Sequence, residues 1–411
     1  MEKELAKKMY DCIVVGGGAA GMMAAITAAR NNARVLIIDQ SKKLGNKILQ
    51  TGNGKCNFTN MILDSSKYNN DNIDFVKTAL GHFDQNDAVC FFKSIGIFPK
   101  EKNGYVYPHS ETAASVQEAM ISELCFLGID IVLETTVENI EKKDNIFVVN
   151  NKYISSNVII SAGSKAAPKT GSDGSGYMLA KSMGHDVKKP LPALVQLISD
   201  NKFCKTAAGV RSTGSIELHC KDKVYSEYGE IQYTDYGLSG IPIFQISRFA
   251  VKSVDNKEKT YVDIDMVPDY SKHELTEYAK NCCGNTEKNI VQLFSGILNK
   301  KLVLLACNMR NIDPELPVTF DNLKKIQMVI SAIKRTTFNI TGYKSFDNAQ
   351  VCQGGVNLNE INPDTMQSII VPGLFYAGEI MDVDGICGGY NLQWAWTSGY
   401  LAGKNIKNHL P

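Results

Sequence analysis

The 411-residue sequence predicts an α/β fold whose parallel sheet is built from both ends of the chain, with a β-rich segment and a helical lobe inserted between them. Three observations predict it. Near the start, short apolar runs alternate with an alanine-rich helical pattern, as in βαβ units. From Leu194 to about Asn339 the texture changes to half-exposed, alternating strands followed by helical patterns. Beyond that, buried strands that stop at glycines return and lead into a last helix.

The first element is the apolar run Tyr10–Val15, which reads as a short buried strand. It stops at Gly16-Gly17-Gly18-Ala19-Ala20-Gly21, and Met22 to Arg30 continues with helix formers at helical spacing. In this reading Gly16 permits the tight turn, Gly18 lets a pyrophosphate approach the backbone, and Gly21 brings helix close to strand. The free N–H groups at the helix start face the anion. A second strand, Arg34–Ile38, ends in Asp39, at about the distance expected of a carboxylate that binds a ribose hydroxyl. A glycine-rich turn that binds nothing explains the glycines but not Asp39. The stretch is therefore read as a Rossmann dinucleotide site.

Bulk composition narrows the partners. The chain is 44% hydrophobic and 21% charged, with a formal net charge of +1, so no global field recruits nucleic acid or an acidic membrane surface. Eleven cysteines occur without a signal peptide, without a CxxC and without metal-ligand spacing. The expectation is a cytoplasmic protein with reduced thiols, no metal and a small-molecule substrate; the oligomeric state stays open.

After Asp39 and Gln40, the stretch Leu44 to Asn57 holds glycines, asparagines and lysines suited to folding over phosphates and a planar polar ring. Within it, Lys47 and Lys55 are candidates to neutralise a pyrophosphate, and Cys56 is read as a small buried filler rather than a redox thiol. Asp74 to Ile95 reads as one helix, Gly104–Pro108 as a hairpin arm with His109 on the surface or in packing, and Ala113 to Leu127 as another helix. Ile129–Leu133 reads as a strand. Thr135–Ile140, Asn145–Val149 and Lys152–Ile154 read as a three-stranded meander over the adenine side, with Val137 as the backbone contact. Asn157–Gly163 is a separate buried strand, whose Ala162-Gly163 end lets a dinucleotide cross. The Thr170–Gly176 loop closes on the same cofactor before a helix from Tyr177 to Met183.

In the insert, Ser215–Cys220 and Tyr261–Val267 read as strands, and His273–Cys283, Glu287–Leu298, Lys301–Cys307 and Leu323–Ile333 as helices. The stretch Glu230–Gly240 has two readings, a substrate-facing surface or a hairpin turn. Leu374–Glu379 is a strand ending in Gly378 and an acid placed to bind a sugar-like hydroxyl chain. Asp384 and Gly388-Gly389-Tyr390-Asn391-Leu392-Gln393 lead into the final helix, Trp394 to Lys407. The positive end of that helix faces the place where charge accumulates on a reduced flavin.

Gly16–Gly21, the Thr51–Asn60 loop, the Thr170–Gly176 loop and the run Glu379–Gly385…Gly389–Trp396 together resemble one bacterial family, the BaiN/RdsA-type NAD(P)/FAD-dependent oxidoreductases, which includes proteins called aminoacetone oxidases. The resemblance runs nearly end to end. It implies FAD and a three-part organisation of 1–193, 194–340 and 341–411, the middle part β-barrel-like with a helical lobe. It implies that Asp39 holds the adenosine ribose, where relatives usually carry Glu. The Thr51-Gly52-Asn53 loop with Cys56 and Asn57 then lies along the pyrophosphate and flavin, with Asn53 and Lys55 where relatives have more glycine and an arginine. Fingerprint and resemblance together make the cofactor shell Val15, Gly16, Gly18, Ala19, Ala20, Gly21, Asp39, Gln40 and Lys47; the Thr51–Asn57 loop; Val137, Ala162 and Gly163; and Gly378, Glu379, Asp384, Gly389, Tyr390, Asn391 and Leu392.

The reaction so implied is reduction of FAD by NAD(P)H and hydride delivery to an activated C=C bond of a steroid- or bile-acid-like enone. Tyr390, Tyr236 and Asp235 are the candidate proton donors, Asp235 standing where many relatives carry His. Alternatives are an oxygen-using amine oxidase and a non-catalytic flavin-binding protein.

Overall fold

The computed structural model describes residues 8–283 and 287–406; the charged Met1–Lys7 segment and the predicted helix end at Lys407 lie outside them. The chain divides into two compact units, one running to Leu191 and resuming at Gln350, the other Pro192–Ala349. Each has its own apolar core.

The first unit begins with β1 (Met9–Val15), α1 (Ala19–Arg30) and β2 (Val35–Ile38), paired as a parallel βαβ unit. The helix predicted over Asp74–Ile95 is two helices, α2 (Ile73–His82) and α3 (Gln85–Ser94). Phe83 is extended between them, and Asp84 accepts the N–H groups of Asn86 and Asp87 while Asp87 accepts that of Asp84. This reciprocal cap satisfies donors that a helix start otherwise leaves orphaned, so a fresh start outcompetes continuation.

Then come α4 (Ala113–Phe126), β3 (Asp130–Val132), β4 (Ile140–Lys143), β5 (Ile146–Val149) and β6 (Tyr153–Ile160). Two expectations are corrected here. The strand predicted from Thr135 starts only at Ile140: Glu134 has φ +52, and the Asn150 side chain takes the N–H groups of Glu138 and Asn139 and donates to the Thr136 carbonyl, replacing a strand partner. The segments Lys152–Ile154 and Asn157–Gly163 are one strand, because nothing in Ser155-Ser156 turns the chain and both serines are buried. The unit's next helix, α5, is Ser175–Ser182.

In the second unit, β7 (Leu197–Ser199), β8 (Arg211–Cys220), β9 (Lys223–Tyr233), β10 (Gly237–Ser239), β11 (Thr260–Asp265) and β12 (Thr336–Tyr343) close into an antiparallel barrel in the order β7–β10–β9–β8–β11–β12. Ile216, Leu218, Ile231, Tyr233, Val262, Ile264 and Phe338, from alternate strand positions, are buried. The Glu230–Gly240 stretch is a hairpin, with Thr234 N–H bonded to the Gly237 carbonyl. It runs into a helix absent from the expectations, α6 (Ile241–Asp255). The helical lobe holds α7 (Lys272–Cys282), α8 (Ile290–Phe294), α9 (Lys300–Arg310) and α10 (Leu323–Lys334).

Back in the first unit, β13 (Leu374–Tyr376) and α11 (Tyr390–Lys404) complete the sheet and cover it. The strand order β3–β2–β1–β6 is parallel. The outer edge of β6 is shared: Tyr153–Ser155 pair with antiparallel β5, and Val158–Ile160 with parallel β13. Helix α11 starts four residues before the predicted Trp394 and lies against α1 at backbone distance. A Cβ on Gly399 or Gly403 would overlap the carbonyl oxygens of Ala20 or Ala24. Among the described residues no helix is long and apolar enough to cross a membrane.

Beyond α5, His185 is buried with Nε2 2.8 Å from Ser368 Oγ. That oxygen already accepts the N–H groups of Ile370 and Val371, so its proton goes to Nε2 and the ring is neutral with its hydrogen on Nδ1. Burial lowers the His185 pKa, outweighing the opposing pull of Glu360. A lowered folded-state pKa means the contribution is complete above the ordinary histidine value of about 6.5 and is lost as pH falls below it. The urea midpoint of the wild type should therefore drop more steeply between pH 7.5 and 5.5 than that of His185→Gln; parallel profiles would refute the assignment.

Candidate functional site

The glycine turn after β1 sorts into two close contacts and one open space. Gly16 has φ +98, and a Cβ there would stand 2.7 Å from the Ser161 carbonyl oxygen. A Cβ on Gly21 would overlap the Gly16 carbonyl oxygen. Gly18 has ordinary extended dihedrals (φ −75, ψ −167), and no heavy atom lies within 4 Å of where its Cβ would be. It is the N-cap of α1 and provides no side-chain cap. The space in front of Gly18 therefore meets unpaired helix N–H groups, the arrangement an anion needs.

Around this turn the strand ends converge. Ser161 Oγ donates to the carbonyls of Val15 and Gly16, closing the ends of β1 and β6 together. Sequence reasoning missed Ser161 because a serine at a strand end carries no motif. Asp39 Oδ2 accepts the Gly17 N–H at 2.6 Å and Oδ1 the Ser41 N–H at 2.7 Å, so the acid is held at the turn with acceptor capacity to spare. Gln40 Nε2 donates to the Gly171 carbonyl, tying the second strand's end to the Thr170–Gly176 loop. Val137 is buried in the irregular run before β4. Past β6, Ala162 leads to Gly163 at φ +76, where a Cβ would meet Ser172 Oγ at 2.6 Å. Gly378 follows β13, and its Cβ would stand 2.8 Å from that of Ala20, one residue after Ala19 at the start of α1.

The neighbouring acid, Glu379, is not alone. Its Oε2 lies 2.5 Å from Lys47 Nζ and accepts the Ser164 hydroxyl at 3.0 Å. The other candidate cation, Lys55, is on the surface and pairs with Glu111, whose carboxyl is drawn down to about 2 by Lys100 and Lys55. Both lysines are thus matched to carboxylates within the protein.

The Thr51–Asn57 loop bends through left-handed residues Gly52, Asn53 and Gly54, and these three are exposed. Thr51 Oγ1 donates to the Ile48 carbonyl, and Asn57 Oδ1 accepts the Val106 N–H. Cys56 is fully buried and its thiol is pushed up to about 12 by burial, so it is protonated at neutral pH. The strand that follows is stitched to α11. Trp396 Nε1 donates to the Phe58 carbonyl at 2.8 Å, Thr59 bonds Gln393, and Asn60 bonds the Gly388 carbonyl. Gly389 has φ +94, and a Cβ there would press on the Thr59 carbonyl.

Among the first residues of α11, Leu392 is half-buried. The Asn391 amide is spent on both backbone groups of Gly385, next to buried Asp384. The Tyr390 hydroxyl donates to the Ile62 carbonyl at 2.9 Å, and burial raises its pKa. Its proton is committed to structure. Asp235 and Tyr236 lie in the β9–β10 turn of the other unit; Lys344 Nζ sits 3.9 Å from the Tyr236 ring centre, and the Tyr236 hydroxyl takes no hydrogen bond among the described residues.

The family model described as HI0933-like protein Rossmann domain matches residues 10–405. A 3-dehydro-bile acid delta(4,6)-reductase of Clostridium scindens is 40% identical over 95% of this chain and 97% of its own. A ribosomal RNA dihydrouridine synthase of Haemophilus influenzae is 30% identical over 96% of this chain and 98% of its own. Among solved structures, a 3-ketosteroid delta1-dehydrogenase from Sterolibacterium denitrificans superposes with a TM-score of 0.50 at 12% identity, covering 97% of this chain and 99% of that one, a likeness of fold.

The two kinds of glycine can be told apart by substitution. In the FAD-free protein, Gly18→Val should keep a urea midpoint close to the wild type, because its side chain enters open space. Gly21→Val should lose about 3 kcal/mol or more by overlapping backbone.

Proposed function

This chain belongs to the HI0933-like Rossmann family, and on that premise we propose that it is an FAD-dependent oxidoreductase. Its reaction, in this reading, adds hydrogen across a C=C bond conjugated to a carbonyl in a steroid- or bile-acid-like small molecule, with NAD(P)H as electron donor. The near-full-length similarity to a bile acid reductase carries the reading. The open space at Gly18 supports the cofactor: it fits a pyrophosphate against free helix N–H groups, in front of a strand-end acid suited to a ribose.

Bound FAD supplies two-electron redox chemistry that side chains do not offer. The residues of the chain bind and orient. Gly18 leaves room for phosphate, Asp39 keeps acceptors for the ribose hydroxyls, and the buried Val137 run covers the adenine. The Thr51–Asn57 loop, Ala162-Gly163 and the start of α11 complete the shell. Reducing a conjugated C=C places charge on the carbonyl oxygen, which needs a donor, and the carbon that receives no hydride needs a proton. Tyr236 is the first group to test for that step: its hydroxyl takes no hydrogen bond from the described residues, whereas Tyr390 already donates to a carbonyl. Asp235 is the second group to test.

The Haemophilus relative favours a second reading, reduction of uracil rings in RNA. The bond is alike, since uracil also carries a C=C conjugated to a carbonyl. The net charge of +1 offers no basic excess for an RNA partner, which puts the small molecule first.

The purified protein should be yellow, or become so with FAD, and one of NADH or NADPH should bleach it without oxygen. Mixing the reduced protein with 3-oxo steroids unsaturated at the 4 or 6 position should restore the colour and remove the enone absorbance. A protein that stays colourless in excess FAD overturns the cofactor. Reoxidation only by ribosomal RNA favours the second reading. Peroxide formed from an amine without pyridine nucleotide makes the protein an oxidase, and no turnover with any substrate makes it a flavin carrier. Gly18→Val should fold yet retain at least about tenfold less FAD.

A further inference from the structure

We propose that Lys47 is a positioning residue for Glu379 rather than a phosphate ligand: it holds one carboxylate oxygen so that the other is presented to the hydroxyl chain of the cofactor. The proposal rests on the FAD reading above and concerns what this chain's own residues do toward that group.

The geometry is one-sided. Lys47 Nζ lies 2.5 Å from Glu379 Oε2 and also donates to the Ala166 carbonyl at 3.3 Å. Ser164 Oγ accepts the Ala166 N–H and gives its own proton to the same Oε2. Two donors therefore converge on Oε2, and Oε1 accepts no hydrogen bond from the described residues. The two side chains are only 25% and 19% exposed, so the pair is weakly screened and the lysine's charge is largely spent on its partner. A half-buried carboxylate with one oxygen held by two donors and the other free suits a ligand that carries several neutral hydroxyls. A phosphate would be repelled by Glu379. Lys47 and Glu379 stand 332 positions apart in sequence, so the pairing joins the loop after β2 to the turn after β13.

ADP separates the alternatives, because it shares the ribose and phosphates of FAD but lacks the hydroxyl chain and the flavin ring. Affinities for FAD, and for ADP by competition, are measured on the wild type and on Lys47→Met, Glu379→Gln, the double variant and Lys47→Arg. Loss of a charged hydrogen-bonding group should weaken FAD about tenfold or more in Lys47→Met, with ADP within about twofold of wild type. Glu379→Gln should lose a similar factor, the double variant no more than either single one, and Lys47→Arg should recover most of the loss. A parallel loss of ADP affinity in Lys47→Met, or additive losses in the double variant, would overturn the proposal. Should Lys47→Met fail to fold, the double variant, which removes both charges, is compared with Glu379→Gln: equal FAD affinity supports the proposal and a further loss refutes it. A folded wild type that binds neither FAD nor ADP would instead sink the FAD reading.

Discussion

The first and last helices meet at backbone distance, and the rest of the first unit depends on that contact. Gly399 and Gly403 on α11 press against the carbonyls of Ala20 and Ala24 on α1, where any side chain on the glycines would collide. Close packing of this kind tolerates little change of volume. It sets α11 on the alanine face of α1, and with it the turn after β13. Gly378 then comes within reach of Ala20, and Glu379 reaches the strand ends beside the glycine turn. Two stretches more than three hundred residues apart share one site because two glycines of α11 let its backbone reach the carbonyls of α1.

The same logic decides what was legible in the sequence. The glycine turn was, because each glycine answers a backbone demand: Gly16 a positive φ, Gly21 a close approach, Gly18 an opening. Asp39 was legible because a strand end has a fixed distance from that turn. Two of the barrel's strands showed in their alternation, read from the sequence as Ser215–Cys220 and Tyr261–Val267.

Other features were hidden for physical reasons. Helix α6 begins Ile241-Pro242-Ile243-Phe244, a composition that favours strands, and its proline marks a first turn only once the helix is known. The break at Asp84 falls in the polar run Asp84-Gln85-Asn86-Asp87, whose reciprocal cap starts a second helix where a continuous one was read. Lys47 and Tyr390 have partners that the sequence does not display. A lysine in a glycine-rich loop advertises charge, and a tyrosine at a helix start advertises a proton, but Glu379 and the Ile62 carbonyl claim them first. Such pairings come from tertiary neighbours that local pattern does not encode.

The shared edge of β6 bears on how the protein is made. The ribosome delivers the outer parallel partner of that strand, Leu374–Tyr376, only after the whole barrel and helical lobe have been synthesised. Until then Val158–Ile160 present an open row of peptide groups, and α1 lacks the helix that covers its alanines. The inserted unit, with its own apolar core, is therefore able to mature before the surrounding domain. A nascent chain stalled between the two events would offer a sticky strand edge to chaperones, and to other unfinished copies of itself.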